Sequence, residues 1–496
     1  MSNSSLYQSI IGDRSKHPER LRATWNRVEE VLDIVLKDRA AEVIEQLQPP
    51  ADMRIELMPE EVGKLVDVLA SRCSAAEGML LQQMFQESEI STQEAIDLHE
   101  QFKIPVSQLE SDIVPVSGKG AWIVDTKGKR YLDLDSNYSA TNLGLSNPEI
   151  ALGLFNQATQ LISVKEDRVH IPRARFLKSI QPMLPEGLTQ FYWQNSGGEA
   201  VDKALKIAKA YTGHKGVVAM KGGFHGRTHG AVAVTYEKKY REPFFLDDED
   251  WVHFVDFNDV DAVEKLFAAG KAKTVILELV QGEEAGVRAA ERDFAAELRK
   301  VCDKYGCLMI VDEIQTGFGR TAEEPGQWFA CMVYGITPDV ITIGKSFGGG
   351  YPVTAVVTTT EVSQAMQPGY DGSTFGGNPM AMVAAMIATR QMREQDLTRN
   401  VIERSGQIVR GLQQLKEQYD LMQEVRGLGL MIAFRLLQAE LVGPFQKAMA
   451  ENGVKTSLST REWVRFLPPL IITETDVEHM LTAVEKSLAG IAQPVA

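Results

Sequence analysis

The chain has 496 residues, of which 44% are hydrophobic and 24% are charged, the balance of an ordinary globular protein. Its formal net charge of -15 argues against a nucleic-acid partner, because phosphates would be repelled. The first twenty residues lack the apolar core of a signal peptide, and the sequence contains no apolar run of about 18 residues that would cross a membrane. This length predicts roughly two to four domains.

Four cysteines are present: Cys73, Cys302, Cys307 and Cys331. They form no CxxC pair and have no histidines at zinc-ligand spacing, so no metal site is expected. Because nothing in their spacing suggests a disulfide framework, the reducing cytoplasm is the expected location.

Residues 17 to about 102 have the pattern of an all-helical segment. Apolar residues recur with helical spacing at Leu21, Trp25, Val28, Val31 and Leu32. Ser91 and Glu94 form a capping-box pattern at the start of a later helix, TQEAIDLHEQF. The segment contains no catalytic constellation. We therefore expect residues 1–104 to form a helical N-terminal extension that serves packing or oligomer contacts.

From about residue 105, strand-like runs alternate with helical ones, as in KGVVAM, VDAVEKLFAAG, TVILELV, FAAELRKVCDKYG and CLMIVDE. Such alternation predicts an α/β fold with a mostly parallel sheet and helices on its faces. We expect a large domain over residues 105–380 and a small α+β domain over residues 381–496. The first segment of the large domain could equally belong to the small one.

Lys345 stands between the apolar run DVITIG and three glycines. Its GKS triplet is not a nucleotide phosphate loop, because that motif needs glycine where Asp339 stands, and no GxGxxG is present in the segment. A buried amine loses its proton more readily and is then a nucleophile that forms Schiff bases. From this segment alone, a surface lysine at the start of a loop is an equal alternative.

Asp312 ends the apolar run CLMIVD, thirty-three residues before Lys345. The carboxyl ends of parallel strands joined by one crossover lie at the same edge of a sheet, where ligands bind. Asp312 and Lys345 are therefore expected to face one crevice. An aspartate opposite a Schiff-base lysine suits pyridoxal phosphate, because the carboxylate keeps the pyridine nitrogen protonated.

A phosphate group also needs a binding site. Ser196, Gly197 and Gly198 open a helical run, and the free N–H groups at a helix start suit an anion. Phe224 lies in the glycine-rich segment MKGGFHGRTHG, where an aromatic side chain could cover a ring, although most phenylalanines are simply core residues.

Two histidines follow Phe224 in the same segment. His225 and His229 have no carboxylate or cysteine at metal-ligand spacing. Surface or loop positions are therefore expected for both.

These segments together resemble the class III aminotransferases of the ornithine, acetylornithine and ω-amino-acid type, which have pyridoxal-phosphate fold type I. The resemblance covers residues 105 to about 490 and rests on nine motifs in order: GAWIVDTKGKRYLDL, NSGGEA, GGFHGRT, ELVQGEEAGV, IVDEIQTGFGRT, PDVITIGKSFGGG, DGSTFGGNP, VRGLGL and VRFLPPL. It implies a large domain with a sheet of the seven-stranded type and a small α+β C-terminal domain. It also implies ping-pong transfer of an amino group from an amine or ω-amino acid to a 2-oxo acid, with 2-oxoglutarate the expected acceptor.

The resemblance implies roles for the matched residues. Lys345 would form the Schiff base with the cofactor and carry the proton, and Asp312 would pair with the ring nitrogen. Other cofactor contacts are implied for Ser196, Gly197, Gly198, Phe224, Glu278, Gln315 and, from the neighbouring subunit of a dimer, Thr374. Substrate contacts are implied for Tyr138, Arg227, Glu283 and Arg465.

Arg465 would bind the α-carboxylate of the acceptor, and Glu283 would pair with Arg465 when the substrate lacks that carboxylate. The sequence departs from the family pattern at GLSNP, which replaces a Gly-His-x-His-Pro turn, and at Leu279, which replaces a proline. These departures leave the donor open. The alternatives are an amino-acid racemase, an aminomutase or a decarboxylase of the same fold, or a non-catalytic relative.

Overall fold

The structure is a computed structural model. It describes residues 91–106 and 113–492, together with a few residues between 23 and 78. The chain divides into two compact units, residues 1–118 with 123–130 and residues 119–122 with 131–496. Cys73 and nearly all of the helices predicted between residues 17 and 88 lie outside the described residues.

The described residues of the first unit include two short paired segments and one helix. Ala23–Thr24 pairs antiparallel with Glu56–Leu57. The helix predicted around Ala23 is therefore wrong at these two residues, since strand pairing overrides a weak periodic pattern. Helix Thr92–Phe102 confirms the later prediction, and the Glu94 N–H donates to Ser91 Oγ at 3.2 Å.

A seven-stranded sheet forms the centre of the second unit. Its strands in spatial order are Gln190–Gln194, Thr354–Thr358, Val340–Ile343, Leu308–Asp312, Thr274–Leu277, Val217–Met220 and Val252–Val255. Thr354–Thr358 runs antiparallel to both neighbours, and the other pairings are parallel. The mostly parallel sheet predicted from the sequence is confirmed. Four of the parallel strands, Val217–Met220, Thr274–Leu277, Leu308–Asp312 and Val340–Ile343, are buried throughout, as expected for a sheet covered on both faces, while the edge strand Val252–Val255 is only partly buried.

Helices surround this sheet and continue to Ala492, the last described residue. The α-helices of the second unit are Pro148–Ala158, Ile171–Ile180, Gly197–Thr212, His229–Ala233, Val260–Ala268, Arg292–Tyr305, Ala330–Val333, Thr360–Ser363, Pro379–Glu394, Leu397–Gln418, Val442–Glu451 and Glu474–Ala492. Short 3-10 helices occupy Gln181–Met183, Lys238–Tyr240, Glu242–Phe244, Lys345–Gly348 and Ala439–Leu441. No helix of the described residues has both the length and the apolar character needed to cross a membrane.

A second sheet lies in the C-terminal part of the chain, as predicted. Its antiparallel strands are Met422–Leu428, Met431–Leu436, Trp463–Phe466 and Ser457–Thr460 in spatial order. The remaining strands are short: Pro115–Lys119, Trp122–Asp125, Arg130–Asp133, Val280–Gln281, Arg288–Ala289 and Val454–Lys455. Val280–Gln281 pairs antiparallel with Arg288–Ala289 and forms the base of the loop that carries Glu283.

Candidate active site

Asp312 and Lys345 lie at the same edge of the large sheet. Their strands are parallel neighbours, and Asp312 stands in register with Thr342. Lys345 follows the end of the adjacent strand by two residues and begins a 3-10 turn with φ 46°. A non-glycine residue at positive φ is strained, and such strain is concentrated at functional sites.

Asp312 is held by hydrogen bonds on both carboxylate oxygens. Its Oδ2 atom lies 2.8 Å from His225 Nδ1, and its Oδ1 atom accepts from Thr342 Oγ1 at 2.8 Å and from the Ile314 N–H at 3.2 Å. The side chain is buried, with 4% of its surface exposed. These contacts fix the direction of a carboxylate that faces the sheet edge.

His225 lies in a loop, one of the two predicted alternatives, but the other alternative is wrong because the loop carries His225 into the interior rather than to the surface. Burial opposes its charged form, but the hydrogen bond to Asp312 raises the pKa of His225 above its ordinary value. Its Nε2 atom is buried and has no partner among the described residues. Sequence spacing gives no sign of this contact, which joins residues 87 positions apart. His229 is exposed at the start of its helix, as predicted.

Glu278 follows the strand next to that of Asp312. It is buried, and its Oε2 atom accepts the Phe224 N–H at 2.8 Å. Burial raises the pKa of Glu278 to about 7, although His225 opposes the shift. The ends of three neighbouring strands thus bring Glu278, Asp312 and Lys345 into one electrostatic environment.

Lys345 has an amine that can exchange a proton near neutral pH. Burial lowers the pKa of Lys345 to about 8, opposed by the negative charge of Glu283 and reinforced by the positive charge of Arg465. An acid or base is most effective when its pKa lies near the working pH. This environment favours a chemical role for Lys345 over that of a surface lysine.

Arg465 lies on the strand Trp463–Phe466 and is fully buried. Its Nη1 atom donates to Glu283 Oε2 at 2.6 Å and to the Gly282 carbonyl at 2.7 Å, while Nε donates to Ser457 Oγ at 3.2 Å. Its Nη2 atom is buried and has no partner among the described residues. The guanidinium therefore has donor capacity left for a second acceptor.

Tyr138 belongs to a left-handed turn. Four consecutive residues, Ser136, Asn137, Tyr138 and Ser139, have positive φ angles of 48°, 50°, 54° and 75°. Left-handed backbone costs roughly 1–2 kcal/mol for each non-glycine residue, so surrounding contacts must hold this turn. Gln315 Nε2 donates to the Tyr138 carbonyl at 3.4 Å. The Tyr138 ring lies 5.5 Å from the centre of the Arg465 guanidinium.

The helix Gly197–Thr212 begins with a capping box and two backbone N–H groups that are unpaired among the described residues. Ser196 Oγ accepts the Glu199 N–H, and Glu199 Oε2 accepts the Ser196 N–H at 2.8 Å. Within the described part of the chain, the N–H groups of Gly197 and Gly198 have no acceptor. A Cβ at Gly198 would lie 2.9 Å from Thr228 Oγ1, which is itself buried without a partner in the described residues. Free donors in a space that only glycine leaves open suit a phosphate.

Phe224 and Arg227 form an aromatic and cationic group with Tyr240. The Phe224 ring meets the Tyr240 ring edge-on at 5.8 Å. The Arg227 guanidinium lies 4.0 Å from the Tyr240 ring centre and 5.2 Å from that of Phe224. Arg227 is exposed, so its charge is available to a ligand that enters from solvent.

Thr374 is the predicted site residue that the structure sets apart. It is exposed, and no hydrogen bond among the described residues links it to the other predicted site residues. It lines a cavity of about 660 Å³ together with Asn195 and Glu199, at the start of the helix Gly197–Thr212.

The residues present fit pyridoxal phosphate. Asp312 is a fixed carboxylate for the ring nitrogen, Lys345 supplies an amine of lowered pKa, and Gly197 and Gly198 offer free N–H groups for the phosphate. Among the described residues, no group of three His, Cys, Asp or Glu side chains could hold a metal ion.

Comparison with known families gives a match to the model of class-III aminotransferases over residues 104–488. The acetylornithine aminotransferase of Archaeoglobus fulgidus is 38% identical over 369 residues, which cover 74% of this chain and 93% of that protein. The LysW-aminoadipate semialdehyde transaminase of Deinococcus radiodurans is 38% identical over 382 residues, which cover 77% of this chain and 87% of that protein.

Among solved structures, the chain is similar to an ornithine aminotransferase of Toxoplasma gondii, crystallised with oxidised glutathione and with pyridoxal phosphate at partial occupancy in its active site. The TM-score is 0.76 at 25% identity, and the match covers 81% of this chain and 95% of that one. The predicted fold type is confirmed by this likeness.

Proposed function

The chain belongs to the class-III aminotransferase family, whose members are pyridoxal-phosphate-dependent transaminases, and we propose that it transfers a terminal amino group to 2-oxoglutarate by a ping-pong mechanism. The observation that carries this proposal is the pairing of Arg465 with Glu283 at 2.6 Å. A permanent carboxylate clamp would suit only one of two unlike substrates. Arg465 can serve both substrates if Glu283 covers its guanidinium whenever no substrate carboxylate is bound there.

The acceptor half of the reaction uses Arg465 as the carboxylate ligand. Arginine binds carboxylates through two parallel N–H donors, and Nη2 of Arg465 is still open. When Glu283 swings aside, Nη1 also becomes available to the α-carboxylate of the 2-oxo acid. When Glu283 returns, it neutralises a buried charge that would be costly to leave unpaired during the donor half.

Lys345 is the residue that transfers the proton, and the charged side chains around it adjust the pKa of its amine. Bound pyridoxal phosphate supplies the electron sink that stabilises negative charge at the carbon bearing the amino group. Lys345 Nζ would accept a proton from that carbon and deliver it to the cofactor, because its lowered pKa keeps both protonation states accessible. Asp312, hydrogen-bonded to His225, would pair with the ring nitrogen.

The donor is an amino compound with a terminal amine and a distant carboxylate. Arg227, stacked on Tyr240, offers an exposed cation for that carboxylate, and the Tyr138 ring lies beside Arg465. The names of the similar proteins support this chemistry, since acetylornithine carries a terminal amine and aminoadipate semialdehyde is the aldehyde left when one is removed.

An assay with a panel of terminal amines tests the proposal. The purified enzyme with added cofactor is mixed with each amine and 2-oxoglutarate, and glutamate is measured by mass spectrometry. Glutamate formation that depends on a terminal amine, and that is absent with Lys345→Ala, is expected. Failure of every terminal amine while an α-amino acid reacts would overturn the donor assignment.

The assembly and location are also part of the proposal. A homodimer is supported by the exposure of Thr374, which is free to reach the phosphate of a neighbouring subunit. The absence of a nucleic-acid partner is supported by the net charge of -15, and a reducing cytoplasmic location by the lack of a disulfide pattern among the cysteines. Three cysteines within the described residues, Cys302, Cys307 and Cys331, are buried and unpaired.

A further inference from the structure

Arg320 is a fully buried cation without a counter-ion in the described residues. It lies in the loop after the Asp312 strand, and its exposed surface is 0%. Its hydrogen-bond acceptors are neutral: the carbonyls of Leu430 and Pro468, each at 2.9 Å, and the side-chain oxygen of Asn142. Burial alone lowers the pKa of Arg320 to about 9, with no carboxylate opposing it. A charge in this position is costly, and packing could be achieved with an apolar side chain of similar size.

The three acceptors come from segments that border the site. Leu430 lies in the turn between the first two strands of the C-terminal sheet, and its N–H also donates to the Arg320 carbonyl at 2.8 Å. Pro468 follows the strand of Arg465 by two residues. Asn142 follows the left-handed turn that carries Tyr138. One guanidinium thus joins the loop after Asp312, the end of the Arg465 strand and the Tyr138 segment.

Asn142 connects the Arg320 guanidinium to Ser346, the residue after Lys345. Because the guanidinium occupies its amide oxygen, the amide nitrogen is directed to the hydroxyl of Ser346. Ser346 Oγ in turn donates to the Ser139 carbonyl at 2.9 Å. A hydroxyl with both its donor and an acceptor site engaged has one orientation. Ser346 is therefore fixed at the point where the Lys345 backbone takes its strained positive φ of 46°.

We propose that Arg320 is a positioning residue for Lys345, acting through Asn142 and Ser346. The inference rests on the proposed role of Lys345 in proton transfer, and it assigns to Arg320 the task of holding that amine in place. The planar fork of arginine can bind three oxygens in one plane, which the point charge of lysine cannot do. A displacement of about 1 Å in a reacting group can cost a hundredfold in rate.

Two variants and a matched control test the proposal by steady-state and pre-steady-state kinetics. Arg320→Lys keeps the positive charge but loses the planar guanidinium. Asn142→Ala keeps Arg320 but removes the side chain that connects it to Ser346. Arg241→Lys is the control, because Arg241 is also a buried arginine bound to backbone carbonyls, those of Tyr236 and Asp247. Both test variants should lower the rates of the two half-reactions by the same factor, about ten- to a hundredfold, with little change in either KM. The control should lose stability without this loss of rate.

A second readout does not depend on activity. The apoenzyme is labelled with an amine-reactive reagent over a range of pH, and the modification of Lys345 is followed by mass spectrometry. The pH profile of Lys345 labelling should shift or broaden in Arg320→Lys and Asn142→Ala but not in Arg241→Lys. If Arg320→Lys does not fold, Asn142→Ala still tests whether Lys345 depends on Asn142.

Two outcomes would overturn the proposal. Asn142→Ala with wild-type half-reaction rates and an unchanged labelling profile would show that Lys345 does not depend on the relay. Slower half-reactions with an unchanged labelling profile would place the effect elsewhere than at Lys345. A wild-type enzyme that forms no glutamate would instead contradict the proposed function, while a shifted labelling profile would still support the relay.

Discussion

His225 Nδ1 lies 2.8 Å from Asp312 Oδ2, and both side chains are almost completely buried. The hydrogen bond to the carboxylate raises the pKa of His225, so the histidine favours its charged form. This donor holds the Asp312 carboxylate in one direction. The two side chains therefore form one hydrogen-bonded unit, through which His225 would support Asp312 in its proposed role at the cofactor ring.

Asp312→Ala should lower turnover at least about 100-fold, because a preorganised electrostatic group is lost. His225→Phe should have a smaller effect of about tenfold, since the carboxylate remains but loses a charged hydrogen-bond donor. Turnover at saturating substrate and the absorbance spectrum of bound cofactor measure both. A wild-type rate for Asp312→Ala would show that Asp312 has no role in the reaction.

Lys345→Ala should abolish turnover, because the amine that carries the proton is gone. The free N–H groups of Gly197 and Gly198 that we propose for the phosphate remain, so the variant should still bind pyridoxal phosphate. Equilibrium dialysis of the cofactor and a glutamate assay separate the two effects. Substantial turnover without an added amine would contradict the role of Lys345.

The sequence alone predicts the placement of Asp312 and Lys345, because neighbouring parallel strands must end at one edge. It does not predict the contact of His225 with Asp312, since a glycine-rich loop can fold inward or outward and no period distinguishes the two. The sequence also does not predict the left-handed turn at Tyr138, because the residues of this turn are two serines, an asparagine and a tyrosine rather than glycines. The Arg320 contacts join segments up to 178 positions apart and have no local signal.

Stability of the apoenzyme should report the raised pKa of Glu278. Its folded pKa of about 7 lies above the ordinary value of 4.5, so the folded state binds an extra proton between these pH values. The free energy of unfolding should therefore fall as pH rises from about 4.5 to 7, by at most about 1.4 kcal/mol per pH unit from this group. Urea unfolding of wild type and Glu278→Gln across that range measures it. Parallel pH profiles for the two proteins would show that Glu278 is not the titrating group.

Thr374→Ala should weaken cofactor binding without changing the fold of the subunit. If Thr374 reaches the phosphate of a neighbouring subunit, dilution that separates the dimer should release cofactor from wild type as well. Sedimentation velocity combined with cofactor absorbance follows both quantities. Ser373→Ala, one position away, is the control and should retain wild-type affinity. A monomer with full activity would exclude the shared site.

Glu283→Gln should raise reaction with ordinary α-amino acids, because it removes the negative charge that covers Arg465. The exposed fraction of the Glu283 side chain is 24%, which gives this residue room to move that Arg465 lacks. Single-turnover rates with glutamate as donor, compared between wild type and the variant, test this expectation. A rate with glutamate equal to or below that of wild type would mean that Glu283 does not block the clamp.

The most direct test of the two-substrate account is the effect of Arg465→Ala on the two half-reactions measured separately. Stopped-flow absorbance of bound cofactor follows the donor half with a terminal amine and the acceptor half with 2-oxoglutarate. The account predicts that the acceptor half slows far more than the donor half, because only the 2-oxo acid uses the freed guanidinium. Equal slowing of both halves would contradict a switch between Glu283 and Arg465.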